Sequence, residues 1–405
     1  MNHTVTASGW AVASGYAPDF PALIAGLESG KLACGSPWFS DDAWQTMRLK
    51  VNPHVVADAR PRPAPFDRLR KVIDRALAMA SLPATALAGQ RVRVYVTGSG
   101  VRPDIGDFLG YQDRNDSEDL LFFPQIKRLH ADSYGQDLLA DALLRRYRLS
   151  WPPVALYSAS NSSLSALHLA RTTLAAGQAD LALVLGWNEM LLQDILFLGG
   201  QDMLGDGQSQ PFSAADSSVL PASGAVALVL ESARHARQRG LTPRLVLHPS
   251  VCCQSGGGSA FTADFRSIAQ TLEQALRAAS LAPDDISAVL PHGNGIIASD
   301  KAEAMAIKKI WGRQGIPVVS YKGQIGYIST CSGVQDLMIA ADALLQRRLL
   351  ALTSRSQPDA SLDIRLHADA APLPLDRPHL LKYGAGLDGS VIALAISACR
   401  EVDDD

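Results

Sequence analysis

Val154-Ala155-Leu156-Tyr157-Ser158-Ala159-Ser160-Asn161-Ser162-Ser163-Leu164-Ser165-Ala166-Leu167-His168-Leu169-Ala170 passes from a short apolar run, through small polar residues, into an Ala/Leu-rich segment that continues to about Ala176. The pattern predicts a strand, a tight turn and a buried helix. The first N–H groups of such a helix have no partner inside it, and the helix dipole is positive at that end. A nucleophile or an anionic intermediate placed at this turn would be stabilised, and the small side chains would let a substrate approach.

Outward from the turn, apolar runs alternate with helix-period stretches. Before it come an opening strand (Val5 to Gly15), a short helix (Phe20 to Ser29), an irregular Pro-rich region to Pro63, a helix from Phe66 to about Ala80 and a strong strand, Val92 to Val96. After it come the continuous apolar run Leu181 to Leu185 and the strand Ala225 to Glu231. The pattern then starts again, with strands at Pro243 to Leu247, Ile286 to Leu290, Val318 to Ser320, Leu380 to Lys382 and Val391 to Ile396. Helices are expected at Phe265 to Ala279, Ala302 to Trp311 and about Val334 to Leu344. The repeated order suggests two halves, 1–235 and 236–405, and the short connections favour βαβ units with parallel sheets. Between 103 and 149 the pattern is least regular. An acidic patch (Asp113, Asp116, Glu118, Asp119), the step Phe122-Phe123-Pro124 and a helix from Gln136 to Tyr147 are expected there, a candidate partner-contact surface. Ser250 to Ser259, with three glycines, reads as a flexible surface loop.

Composition narrows the function classes. The chain has 405 residues, 47% hydrophobic and 19% charged, with a net charge of −3. No basic excess argues for nucleic acid, and no polybasic block argues for a membrane surface. The start carries no basic and apolar leader, and no apolar run is long enough to suggest a membrane span. Five cysteines without a motif fit reduced thiols in a cytoplasm, and no His/Cys/Asp cluster has metal-ligand spacing.

Three further stretches carry chemistry. His292 stands in Leu290-Pro291-His292-Gly293-Asn294-Gly295, at a strand end before a glycine turn, where ligands gather in α/β folds. Asp300 and Glu303 follow eight and eleven residues later. The second stretch is Tyr321-Lys322-Gly323-Gln324-Ile325-Gly326-Tyr327, and the third is Lys382-Tyr383-Gly384-Ala385-Gly386-Leu387-Asp388-Gly389-Ser390. For His292 the plain alternative is a histidine that only packs a loop. For Lys322 it is an ordinary structural ion pair.

Together with the turn at Ser160, these stretches resemble the β-ketoacyl synthases of the thiolase-like superfamily. The resemblance covers nearly the whole chain. It implies an α/β fold of duplicated βαβαβαββ halves layered as an α-β-α-β-α sandwich, with cap and dimer-facing insertions at about 103–149. Aligned on Leu164 and Ala166 to Ala170, the family's nucleophilic cysteine falls on Ser160. His292 matches the histidine of the family's His-Gly-Thr-Gly-Thr run, although Ser299 replaces a usual glycine. Lys322 matches the lysine that organises the site. The second catalytic histidine, which polarises the malonyl thioester carbonyl, falls on Tyr327, and the second aromatic of the Phe-Gly-Phe-Gly-Gly gate falls on Ala385. A serine needs an adjacent base where a thiol does not, and a phenol with an ordinary pKa near 10 cannot become a cation.

The altered Cys-His-His site implies a non-condensing subunit, similar to the chain-length factors of type II polyketide or aryl polyene synthases. Such a subunit would form a heterodimer with an active ketosynthase and shape its acyl tunnel. It would hold no cofactor of its own. The substrate carrier would be the phosphopantetheine arm of an acyl carrier protein, with Arg145-Arg146, Arg266 and Arg347-Arg348 as candidate contacts, each of which also reads as a solvated helix face. The alternative is a serine-dependent acyltransferase or thioesterase, with Ser160 as nucleophile and His292 as base. A condensing enzyme with an engineered serine would not explain Tyr327 and Ala385. A protein that only binds carrier or lipid stays open.

Overall fold

The computed structural model describes residues 4–47, 49–56, 64–102, 105, 136–214, 218–255 and 264–399. The acidic patch at 113–119, Phe122-Phe123-Pro124 and the three glycines at 256–258 lie outside these residues.

Among the described residues, twelve strands form one mixed sheet. In the first half the order from the edge is Val154–Leu156, Val92–Thr97, Leu181–Asn188, Gly224–Ser232 and Val5–Ser14. In the second half it is Pro317–Val318, Ala288–Leu290, His379–Ala385, Ser390–Ala398 and then Leu245–Leu247 and Val251–Gln254, with Arg365–Leu366 added at the outer edge. Pairing is parallel among the first three strands of each series and antiparallel thereafter. Leu245–Leu247 joins the two series by pairing with both Ser390–Ala398 and Val5–Ser14. The expected parallel pairing is thus found among the first three strands of each series, and the antiparallel strands make the sheet mixed. Gly224–Ser232 and Ser390–Ala398 run antiparallel yet are almost wholly buried, so their apolar runs look like those of parallel strands. One correction concerns 250–259, where Val251–Gln254 is a strand on Ser390–Ala398 and not part of a loop.

Helices lie on both faces of the sheet, and strand alternation divides the core accordingly. Leu181, Leu183 and Leu185 join the helices Pro65–Met79 and Gln136–Tyr147 in one cluster with Leu69, Val72, Leu139 and Leu143. The intervening Ala182 and Val184 face the central cluster. In the second half Val391, Ala393 and Ala395 pack on the helices Phe265–Ala279 and Ile297–Trp311, while Ile392, Leu394 and Ile396 face the centre. This period of two places a helix layer outside each half and a shared layer between them.

The shared layer is the pair of helices Ser162–Ala175 and Ser332–Leu345. Leu164, Leu167 and Leu174 of the first meet Val334, Leu337 and Leu344 of the second in the central cluster. Each fully buried leucine contributes about 1.5–3 kcal/mol. The close approach depends on Gly333, where an added Cβ would come within 2.4 Å of Leu164 Cγ. The expected helix at Val334 to Leu344 thus starts two residues earlier, and the expected glycine-rich turn before it contains a helical turn, Lys322–Ile325.

Candidate active site

The turn before Ser162–Ala175 is built from its own small residues. Ala159 holds φ at +39°, a region that side chains with a Cβ rarely adopt. The Ser162 hydroxyl accepts from the Ser158 N–H and donates to the Ala159 carbonyl, closing the turn. Asn161 occupies the N-cap position without capping the helix. Its amide nitrogen donates instead to the carbonyl and hydroxyl of Ser390, at 3.0 and 2.9 Å, and ties the turn to the last strand. Gly384 makes room for this contact, since a Cβ there would lie 2.3 Å from the Asn161 side-chain oxygen. A second tie runs from the Ser158 hydroxyl to Asp388 at 2.9 Å.

Ser160, at this turn, faces a cavity of about 100 Å³. His292 enters it from the loop after Ala288–Leu290, Tyr327 from the turn after Lys322–Ile325, and Ala385 from the end of His379–Ala385. Met190, Phe197, Leu198 and Met203 give it an apolar wall, and Asn188, Asn294 and Ser329 add polar groups. The structure therefore brings Ser160, His292 and Tyr327 together. It leaves Lys322 behind the pocket, paired with Asp336 at 2.6 Å.

The three lining groups are neutral. Burial, and after it the charges of Lys322 and Lys382, hold the His292 imidazole well below its ordinary 6.5. Burial pushes the Tyr327 phenol above 10, with hydrogen bonding to Ser160 and Ser329 opposing it. The two rings meet edge to face, their centroids 5.9 Å apart. The Ser160 hydroxyl donates to the Ala385 carbonyl at 3.3 Å, so its proton points at the main chain. The arrangement offers hydrogen bonds to a bound carbonyl without an ionised nucleophile in the pocket.

The carboxylates flanking His292 hold its loop. Both oxygens of Glu303 accept from the Gly293 N–H, at 3.0 and 3.1 Å, and Asp300 accepts from the Phe212 N–H at 2.6 Å. Burial drives both carboxyls toward the protonated form, Asp300 the more strongly. Among the described residues no group of three or more His, Cys, Asp or Glu is placed to hold a metal ion. None of their helices is long and apolar enough to cross a membrane.

The candidate carrier contacts are mostly engaged locally. Arg145 pairs with Asp141 one turn away, Arg348 pairs with Glu28, and the guanidinium groups of Arg146 and Arg266 lie over the neighbouring Tyr147 and Phe265 rings. Sequence reasoning missed Asp336 and the role of Lys382 in pairing with it. The available signal was Asp336 in a largely apolar helix that also carries Asp342, and Lys382 in a largely apolar strand.

Residues 66–236 match the model of the β-ketoacyl synthase N-terminal domain, and residues 250–354 match that of the C-terminal domain. The chain belongs to the β-ketoacyl synthase family. Among curated relatives, the pikromycin polyketide synthase component PikAIII of Streptomyces venezuelae is 25% identical over 98% of this chain, which spans 25% of that protein. The phenolphthiocerol synthesis polyketide synthase Pks15/1 of Mycobacterium bovis is 30% identical over 53% of the chain and 11% of the relative. The chain thus spans a quarter or less of these relatives. Among solved structures, a β-ketoacyl synthase from Burkholderia phymatum superposes with a TM-score of 0.83 at 18% identity, over 98% of this chain and 100% of that one. The ishigamide ketosynthase/chain length factor gives 0.81 at 17%, over 99% and 100%. A type II ketosynthase solved with its acyl carrier protein gives 0.81 at 19%, over 98% and 100%. These superpositions show the thiolase-like ketosynthase fold.

Proposed function

We propose that the chain is a non-condensing ketosynthase-like subunit that acts as a chain-length factor. It pairs with a cysteine-containing ketosynthase in the cytoplasm and shapes the tunnel in which that partner extends a polyketide or aryl polyene chain. The growing chain is carried on the phosphopantetheine arm of an acyl carrier protein. One observation carries this reading: the pocket at the family's Cys-His-His position holds Ser160, His292 and Tyr327, all uncharged, and the Ser160 hydroxyl donates to a main-chain carbonyl. A hydroxyl that donates to a main-chain carbonyl and not to a base is a poor nucleophile. Ala385, where the family carries the gating aromatic, is in keeping with the loss of condensation.

The strained turn at Ala159 and the neutral imidazole beside Ser160 favour the second reading, a serine acyltransferase. Intact-protein mass separates the two. The purified chain is mixed, alone and with an active ketosynthase, with malonyl- and acyl-loaded carrier protein. The subunit reading expects no adduct on the chain and elongated product only with the partner present. A stable acyl adduct on Ser160 overturns it in favour of the acyltransferase.

A further inference from the structure

Behind the pocket lies a buried charge cluster that takes no part in lining it. Lys322 and Lys382 both donate to the same oxygen of Asp336, each at 2.6 Å. The side chains of Lys322, Lys382 and Asp336 are only 2%, 1% and 5% exposed. They come from three elements: the helical turn Lys322–Ile325, the strand His379–Ala385 and the central helix Ser332–Leu345. A single buried ion pair already sets most of its Coulomb attraction against desolvation. A second lysine on the same oxygen adds desolvation without adding a carboxylate, so packing alone gives no reason for it.

Lys382 also reaches forward. Its ammonium donates to the Pro291 carbonyl at 2.8 Å, the peptide that leads into His292. The peptide beyond is held from the other side, Gly293 N–H by Glu303 and Gly293 carbonyl by the Ser320 hydroxyl at 2.7 Å. Among the described residues, Tyr327, Ser160, Tyr157 and Asp194 line the cavity with the imidazole, Asp194 being paired with Arg102; Asp300 and Glu303, the latter bonded to Tyr383, stand on Ile297–Trp311, and Lys322, Lys382 and Asp336 form the cluster behind. Burial raises the Asp300 and Glu303 carboxyls, and the charges that act on the imidazole are those of Lys322 and then Lys382. Burial also pulls the Lys382 ammonium down to about 8, against the pull of Asp336, so it is largely charged at neutral pH.

We propose that Lys382 is a positioning residue for His292. Through the Pro291 carbonyl it fixes the backbone that carries the imidazole. Through the shared Asp336 it keeps one uncompensated positive charge behind the ring, so that His292 meets a bound acyl thioester as a neutral hydrogen-bonding group and not as a proton donor. The consequence for a thioester rests on the pocket reading above, whereas the test reads the imidazole in the free, full-length protein.

The experiment is an NMR pH titration of the protein labelled with ¹⁵N-histidine, with the His292 signal assigned by its loss in His292→Gln. In the wild type, His292 stays neutral down to the acid limit of the folded state. Lys382→Met leaves Lys322 and Asp336 balanced, and the titration moves up by at least about one unit, a tenfold gain in imidazolium at a given pH. Lys382→Met/Asp336→Asn restores a single positive charge on Lys322 and returns His292 toward wild-type behaviour. A purely structural role for Lys382 moves both variants alike. If Lys382→Met does not fold, Asp336→Asn is compared with the double variant, and the chain that keeps Lys382 has the lower titration by the same margin. An unchanged His292 titration in either comparison overturns the proposal, as does a double variant that behaves like Lys382→Met. Failure to assemble with a ketosynthase would count against the subunit reading and leave these titrations untouched.

Discussion

At the start of the central helix Ser162–Ala175 the buried polar side chains are Ser160, Asn161, Ser162 and Ser163; around the start of its counterpart Ser332–Leu345 they are Thr330, Ser332, Gln335 and Asp336, with Lys322 and Gln324 on the helical turn before it. The two helices occupy the same place in a repeated strand order and pack on each other in one core. The first half supplies a strained turn with no ionisable side chain, closed by hydroxyl and amide hydrogen bonds. The second half supplies the histidine, both buried lysines and all three buried carboxylates around the pocket. A duplicated framework thus carries a division of labour in which one repeat presents a surface and the other sets its electrostatics.

The sharpest way to break this comparison is Asp336→Ala. It strips the carboxylate from two buried ammonium groups, and uncompensated buried charge is costly. Urea denaturation is expected to show a loss of about 3–5 kcal/mol, larger than for any single substitution among Ser158, Ser160 and Ser162. A loss no greater than at those serines would mean that the second half's charges are well solvated and the division fails. Gly333→Ala tests the contact between the two helices themselves. The new methyl would press on Leu164, costing about 1–3 kcal/mol by overpacking. Leu164→Ala in the same chain should cost less than it does alone, because the methyl fills part of the space it leaves; strict additivity would show that the two positions are not in contact.

The asymmetry also explains what could be read from the sequence. The first half's turn is local: strand, small residues and helix follow one another from Val154 to Ala175, so the turn at Ser160 was legible. His292 was legible at a strand end before a glycine turn, whereas Tyr327 was placed by the resemblance of its stretch to the family's, where a second histidine stands. The Lys322–Asp336–Lys382 cluster was not, because its members lie on three elements and meet only after the sheet and the central helix are assembled. Each shows in isolation only as a charge among apolar residues. Strand direction in the mixed sheet was hidden for a related reason. Helices cover both faces, so antiparallel strands lose the polar alternation that would have distinguished them.

A third prediction concerns pH and is smaller. The folded His292 imidazole titrates well below 6.5, so between 6.5 and that lower value the unfolded chain binds a proton that the folded chain does not. Stability therefore falls as pH drops through this window, by about 1.4 kcal/mol per pH unit for one such group. Asp300 and Glu303, raised by burial, contribute the opposite slope, but they are present in both chains and largely cancel in a difference. The stability of His292→Gln minus that of wild type should be flat above pH 6.5 and rise as pH falls to 5. Parallel curves would show that the second half does not hold this imidazole neutral.

The smallest effect is expected in the first half, at the residue that stands where the family carries its nucleophile. Ser160→Ala removes one hydroxyl that hydrogen-bonds the Tyr327 phenol and donates to the Ala385 carbonyl at 3.3 Å. A single hydrogen bond of this kind contributes about 0.5–1.5 kcal/mol net, and the length of the one to Ala385 places it at the low end. Product formed by the chain together with an active ketosynthase and carrier protein should stay within about twofold of wild type, since a surface that only shapes a tunnel loses one oxygen. Ser160→Cys should not bring condensation by the chain alone, because the neutral phenol of Tyr327 still stands where the family carries a second imidazole. Loss of product with Ser160→Ala at unchanged stability would place chemistry in the first half's turn and reverse the division of labour between the repeats.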